Sequence, residues 1–332
     1  MKKQKLSTVI LLDLFCVGAG LIIFALFHHV INFEKDSEPV VLMTSEPVQE
    51  QISYGETAAE DTIEAEYTPD SSEGPDEPEE TKKVFSGMWG EKFADKFTEG
   101  DPVVTDTSYV SENINVSVSH IEENGIIYNI ADIYISDIQY LKAGLAGDAY
   151  RNGTELIANM SSRLGAVVAI SGDHYGARQE GTVLRNGILY RETDFEDVCV
   201  INTLGEMKTY TAEEFDIEEI KQNGAWQIWT FGPELLRDGE VKTSFNSDVT
   251  RANPRSAIGY VEPGHYYFVQ VDGRINSSRG MTMEELSQLF YDLGCTAAYN
   301  LDGGQSAGFT WMGELISYPY KRPVWDIIYI GE

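Results

Sequence analysis

Sixteen Asp or Glu residues against three Lys crowd the stretch from Glu34 to Lys83, together with Pro39, Pro47, Pro69, Pro75 and Pro78. A segment this polar and self-repelling cannot bury a core, so it limits what the rest of the chain can fold into. It reads as an acidic, disordered spacer over residues 34–107 that leads into the domain. Of the 332 residues, 108–332 are then left to build one folded domain.

Ahead of the spacer, Val9 to Phe27 is apolar apart from Asp13, and Lys2, Lys3 and Lys5 precede it. With its flanks the run is long enough to cross a bilayer. The positive flank sets the orientation: residues 1–33 are expected to form a cytoplasmic stub and a transmembrane signal anchor, single-pass in the cell membrane. Everything after it is then extracellular. A cleaved secretory signal competes, but the run exceeds a usual signal core and no small-x-small site follows Phe27.

From Ser108 onward the punctuation is that of strands in hairpins. Ile114-Asn-Val-Ser-Val118 alternates with a period of two, and turns are legible at Asn186-Gly187, Asp238-Gly239 and Pro263-Gly264. Thr282 with Glu285 forms a capping-box pattern, and Leu286, Leu289, Phe290 and Leu293 follow at helical spacing before Gly294. An earlier helix runs from about Thr154 through Ile157, Met160 and Leu164 to Gly165. The expected fold class is α+β: a mixed, mainly antiparallel sheet with hairpins and a few packed helices, preceded by one transmembrane helix.

Each helix leads through a short apolar strand to an aspartate eight residues after its stopping glycine, Asp173 in one case and Asp302 in the other. These two carboxylates are therefore candidates for one site at corresponding strand ends, where such units place ligands. After Asp302, Gly303 and Gly304 lack the Cβ that holds a chain away from a bound group, and Gln305 and Ser306 add small polar side chains. A tight turn between strands explains the double glycine equally at this level. Arg255, Ser256 and Arg178 supply positive charge and a hydroxyl, arginine being able to grip phosphate or carboxylate with two N–H groups. His174, beside Asp173, has the chemistry of an acid, base or ligand. The domain cysteines, Cys199 and Cys295, are either one disulfide or two buried thiols. The acidic balance and the lack of a basic face argue against nucleic acid as a partner. Trp226, Trp229, Tyr266, Tyr267, Trp311 and Trp325 have the rings to stack on sugars but lie in strand-like, core-type segments.

Five segments, Ile170-Ser-Gly-Asp-His-Tyr175, Arg185-Asn-Gly-Ile-Leu-Tyr-Arg191, Phe231-Gly-Pro-Glu-Leu-Leu-Arg-Asp-Gly239, Asn253-Pro-Arg-Ser-Ala-Ile-Gly259 and Tyr299-Asn-Leu-Asp-Gly-Gly-Gln-Ser306, occur in an order that resembles the phosphodiester glycosidase family. The resemblance covers roughly residues 108–332. The chain departs from the family where Ser171 replaces Asn, and where Gln305 and Ala307 replace Gly and Ser. The resemblance implies hydrolysis of a sugar-1-phosphodiester of the N-acetylglucosamine-1-phosphate type, with no cofactor. A cell-envelope or exopolysaccharide glycan would suit an anchored enzyme with a spacer. In that reading Asp302 or Asp173 acts at the anomeric carbon as base or nucleophile, Arg255 clamps phosphate, and Gly303 and Gly304 approach the ligand. Asn300, Ser256, Ser306, Gln305, His174 and Arg178 would contact the substrate. Two alternatives stay open: a phosphodiesterase in which Asp173, His174 and Asp302 hold a divalent metal, and a surface glycan-binding module that does not turn over.

Overall fold

Strands buried on both faces need apolar residues at every position, and the runs Ala166-Val-Val-Ala-Ile170 and Val198-Cys-Val-Ile201 have that character. In the computed structural model, which describes residues 39–42, 85–193 and 195–332, such strands form three sheets around one core. The nine-stranded sheet has at its centre Ala297–Leu301, Arg255–Glu262, His265–Asp272, Ile126–Ile135 and Ile114–Glu123, in that spatial order. A five-stranded sheet sets Phe309–Trp311, Val168–Ser171, Asp326–Ile330 and Leu141–Leu145 side by side. In the third, the order is Ile188–Arg191, Val183–Arg185, Ala225–Trp229, Val198–Asn202 and Met207–Tyr210. The long strands pair antiparallel throughout.

The period of two decides which core each residue joins. Ile258 and Phe268 of the large sheet, Ile170 and Ile328 of the second, and Cys199 and Ile201 of the third all point into the shared central core. Their sequence neighbours point outward under one helix per sheet. Ala257 and Val269 meet Leu286 and Phe290 of the helix Met283–Asp292. Ala169 and Ile327 meet Met160 of the helix Ile157–Arg163. Val198 and Val200 meet Ile220 of the helix Ile217–Gln222. The α+β class, the three hairpin turns and both expected helices agree with the sequence reading. Asn186 and Gly187, with φ of 51° and 75°, take the left-handed pair that a two-residue hairpin demands.

Packing begins before Ser108. Phe85, Trp89, Phe93 and Phe97, spaced by four, are all buried in the central core, so residues 85–97 are packed against the domain, whereas 99–107 are exposed. Burying large aromatic side chains is among the strongest favourable terms in folding. Cys199 and Cys295 are both free and buried, in different clusters, which settles the thiol question in favour of two core residues. The expected membrane anchor lies outside the described residues. Among the described residues no helix is long and apolar enough to cross a membrane.

The capping box at Thr282 is complete. The Glu285 N–H donates to Thr282 Oγ1 at 3.1 Å, and Glu285 accepts from the Thr282 N–H at 2.9 Å. Arg279 grips both oxygens of Glu285, at 2.9 and 2.6 Å, and together with the Thr282 N–H holds its carboxyl down at about 2. A carboxyl depressed in the folded state contributes stability above its ordinary value of 4.5, which is lost as pH falls towards 2. Acid unfolding should therefore show a Glu285-dependent loss in that window. Glu285→Gln, whose amide oxygen still accepts the Thr282 N–H, is expected to cost roughly 0.5 kcal/mol at pH 7, the worth of its half-exposed pair with Arg279, and to flatten the pH dependence of Tm between pH 4.5 and 2.

Candidate active site

The strands Val168–Ser171 and Ala297–Leu301 belong to different sheets but end at one place. The Asp302 N–H donates to the Gly172 carbonyl at 2.9 Å, and Ser171 Oγ donates to the Asp302 carbonyl at 2.8 Å. Ser256 Oγ lies 2.7 Å from Ser171 Oγ and completes the seam. These bonds fix two sheet ends edge to edge, and so bring the two aspartate loops together as the matched spacing suggested. His174 Nδ1 sits 3.3 Å from Asp302 Oδ2.

Asp302 lies at a cleft of about 630 Å³, which it lines with Asn300, Gly303, Gly304, Gln305, Arg178, Arg255, Arg274, Arg322, Phe231 and Phe245, among others. Its other oxygen, Oδ1, is 3.3 Å from an Arg322 nitrogen. Both contacts are long for hydrogen bonds to a carboxylate, so Asp302 is neighboured without being saturated. Asn300 is 2% exposed; its amide donates to the Gly232 carbonyl at 2.7 Å. Its Oδ1 is buried with no hydrogen-bond partner among the described residues. Arg178 Nε is likewise buried without one.

Asp173 is placed differently from the expectation that it reacts. Its side chain is 0% exposed; Oδ1 takes Arg178 at 2.9 Å, and Oδ2 takes the Thr230 N–H at 2.9 Å with Arg185 at 3.5 Å. Burial raises its carboxyl, but Arg178 and Arg185 outweigh that and leave it below the usual carboxylate range. Arg185 also bonds Asp326 at 2.7 Å, and Asp326 in turn accepts the Asp173 N–H at 2.6 Å. This buried network anchors the loop that carries His174, with no face of Asp173 open to the cleft.

Arg255 is also reassigned. Nε donates to the Met281 carbonyl and the terminal nitrogen to the carbonyls of Val249 and Arg251, at 3.1, 2.9 and 2.6 Å. Burial first, and then Arg274, lower it to about 10, as expected for a buried cation bonded to carbonyls. It ties the 249–251 segment to the strand and contributes charge to the cleft wall. Ser256 is 0% exposed, belongs to the seam and does not line the cleft. Ser306 is buried and accepts Arg322 Nε at 2.7 Å. Gln305 is exposed at the rim.

The two glycines divide their duties. Gly304, at φ +59°, takes a conformation that side chains rarely adopt, and its N–H donates to the Pro254 carbonyl at 3.0 Å, so that donor is not offered to a ligand. A Cβ on Gly303 would fall 2.6 Å from the Pro254 carbonyl oxygen. The approach that Gly303 permits is thus backbone to backbone. Gly303→Ala should cost about 1–3 kcal/mol, read as a lowered Tm, and displace Asp302 enough to reduce any turnover.

Arg274 and Arg322, the exposed cations of the cleft, escaped the sequence reading, as did Arg185 and Asp326. Arg274 follows a strand end and gives no pattern. Arg322 reaches Asp302 only through the fold. Trp226, Trp229, Tyr266 and Trp311 are core residues, and the cleft's aromatics are Phe231 and Phe245. Among the described residues no group of three or more His, Cys, Asp or Glu is arranged to hold a metal ion. The trio of Asp173, His174 and Asp302 therefore does not converge.

The family model for phosphodiester glycosidase matches residues 164–331. The SPbeta prophage-derived uncharacterized protein YomE of Bacillus subtilis is 31% identical over 173 residues, covering 49% of this chain and 27% of that protein. The N-acetylglucosamine-1-phosphodiester alpha-N-acetylglucosaminidase of Bos taurus is 37% identical over 169 residues, covering 50% of this chain and 30% of the enzyme. The chain thus spans less than a third of the length of these curated relatives. The zebrafish enzyme of that name, in a structure of its catalytic domain auto-inhibited by pro-peptide, shares the fold with a TM-score of 0.54 at 21% identity, over 66% of this chain and 83% of that one. With its matching segment carrying both sheet ends, Asp302 and the arginines Arg178, Arg255, Arg274 and Arg322, this chain belongs to the phosphodiester glycosidase family.

Proposed function

We propose that the chain is a hydrolase that cleaves the bond between a sugar's anomeric carbon and a phosphodiester oxygen, on an N-acetylglucosamine-1-phosphate type of substrate. One observation carries the reading: Asp302, an unsaturated carboxylate, lies in a cleft whose walls supply arginines. Water adds to the anomeric carbon as Asp302 takes its proton, the carbon–oxygen bond breaks, and the phosphate leaves with the electron pair. A phosphate leaving group is weakly basic, so positive charge from Arg274 and Arg322 serves in place of a strong general acid. His174 orients Asp302. Asn300 Oδ1 receives a sugar N–H or O–H, and Phe231 and Phe245 supply apolar ring faces.

The test is release of free sugar from chromogenic sugar-1-phosphodiesters by the full chain, across several sugars. Binding without release would make it the glycan-binding module instead. With Asp302 as base the sugar emerges with inverted configuration; retention would make Asp302 the nucleophile. The apolar run from Val9 to Phe27, after three lysines, supports tethering the domain outside the cell membrane to act on an envelope glycan. Protease accessibility of the domain on intact cells tests that placement.

A further inference from the structure

Arg322 holds the reacting carboxylate in a way that a phosphate would undo, an inference that rests on the reading of Asp302 just given. The guanidinium is tied through Nε to Ser306 at 2.7 Å, while a terminal nitrogen reaches Asp302 Oδ1 at only 3.3 Å. Its side chain is 47% exposed against 6% for Asp302. The strong bond is thus to a neutral hydroxyl at the root of the guanidinium, and the weak one is to the carboxylate at its tip. Arg274, the second exposed cation of the cleft, donates from Nε to Asn253 Oδ1 at 2.8 Å. Among the described residues no carboxylate forms an ion pair with it.

An ion pair bonded once at 3.3 Å, with its arginine half exposed, is weak because water reaches the guanidinium and the long side chain loses freedom. A phosphodiester offers two unesterified oxygens, which match the arginine fork with two parallel bonds and gain from a second cation. The competition therefore favours the phosphate. We infer that Arg322 is a clamp released by substrate: in the free protein it covers Asp302 Oδ1, and an arriving phosphodiester draws it onto the phosphate, beside Arg274. Asp302 is then uncovered only when the substrate is anionic. The device selects against neutral glycosides, which enter the same cleft but leave the clamp closed.

The clamp makes a prediction about binding alone, so its fate is separable from that of the hydrolase reading. Inorganic phosphate is titrated calorimetrically into the full-length wild type, R322Q, D302N and the double variant. R322Q should bind at least fivefold more weakly than wild type. D302N should bind about fivefold more tightly, about 1 kcal/mol, because phosphate no longer has to pull Arg322 off a carboxylate. In the R322Q background the same change should gain clearly less. Simple repulsion between Asp302 and phosphate predicts the opposite order, with the larger gain where Arg322 is missing, and that result overturns the clamp. So does wild-type affinity in R322Q, or no phosphate binding in any of the four proteins. Since Arg322 is half exposed, R322Q should keep the wild-type Tm within a few degrees. Coupled phosphate binding in a protein that releases no sugar would leave the clamp standing and remove the hydrolase reading.

Discussion

Asp302→Asn is expected to abolish turnover, lowering kcat at least about 10³-fold, while the Tm stays within a few degrees of wild type. The substitution keeps the shape and the hydrogen-bonding reach of the side chain but removes the charge that accepts a proton or attacks carbon. Its structural cost is small because the fold holds residue 302 through its backbone, by the N–H to Gly172 and the carbonyl to Ser171. The side chain's own contacts, at 3.3 Å to His174 and Arg322, are loose. Hydrolysis of a chromogenic sugar-1-phosphodiester, measured beside a thermal melt, checks both halves. Full activity in the variant removes Asp302 from the chemistry, and unfolding would show that the residue was structural after all.

Arg185→Met should act in the opposite way, through stability first. Arg185 is 1% exposed and stands between two carboxylates that are 0% exposed, Asp173 and Asp326. Burial pushes the Asp326 carboxyl up to about 6 even with this arginine beside it. Methionine approximates the arginine stem but leaves Asp173 with Arg178 alone and Asp326 without its cation. Removing one partner of a buried ion network costs about 3–5 kcal/mol. For a domain of this size that is a Tm lower by roughly 10 °C. Adding Asp326→Asn to the same variant removes one stranded charge and should recover about 1 kcal/mol or more. A melt of R185M within two degrees of wild type would show that the network carries no such load.

Much of the fold was legible because local chemistry dictates it. The Asn186-Gly187 turn, the Thr282 cap and the glycines that stop two helices each act within a few residues. The period of two in Ile114–Val118 needs no partner to be read. The shared end of two strands was visible as a repeated interval of eight, and the structure joins those ends through Gly172 and Asp302. Asp302 stands out through that interval and Asn300 through the resemblance, and both line the cleft.

The misassignments share one cause. Asp173, Arg255 and Ser256 have the right chemistry beside the right motifs, but burial and the hydrogen-bond partners that the fold brings round them engage that chemistry in structure. Asp173 is committed by Arg185 and Thr230, Arg255 by the carbonyls of Val249, Arg251 and Met281, and Ser256 by Ser171. Residues 85–97 were grouped with the spacer because an average over composition hides four aromatics spaced by four.

What the sequence determined by itself is the set of local devices: which segments alternate, where the chain must turn, and that a carboxylate followed by two glycines ends a buried strand. Only the tertiary structure decided which charges remain available. Arg322 is 20 residues from Asp302 in the chain, and nothing in that interval announces that its guanidinium returns to Oδ1. An ionisable side chain reacts or binds according to what surrounds it, and those surroundings come from three sheets closing on one core.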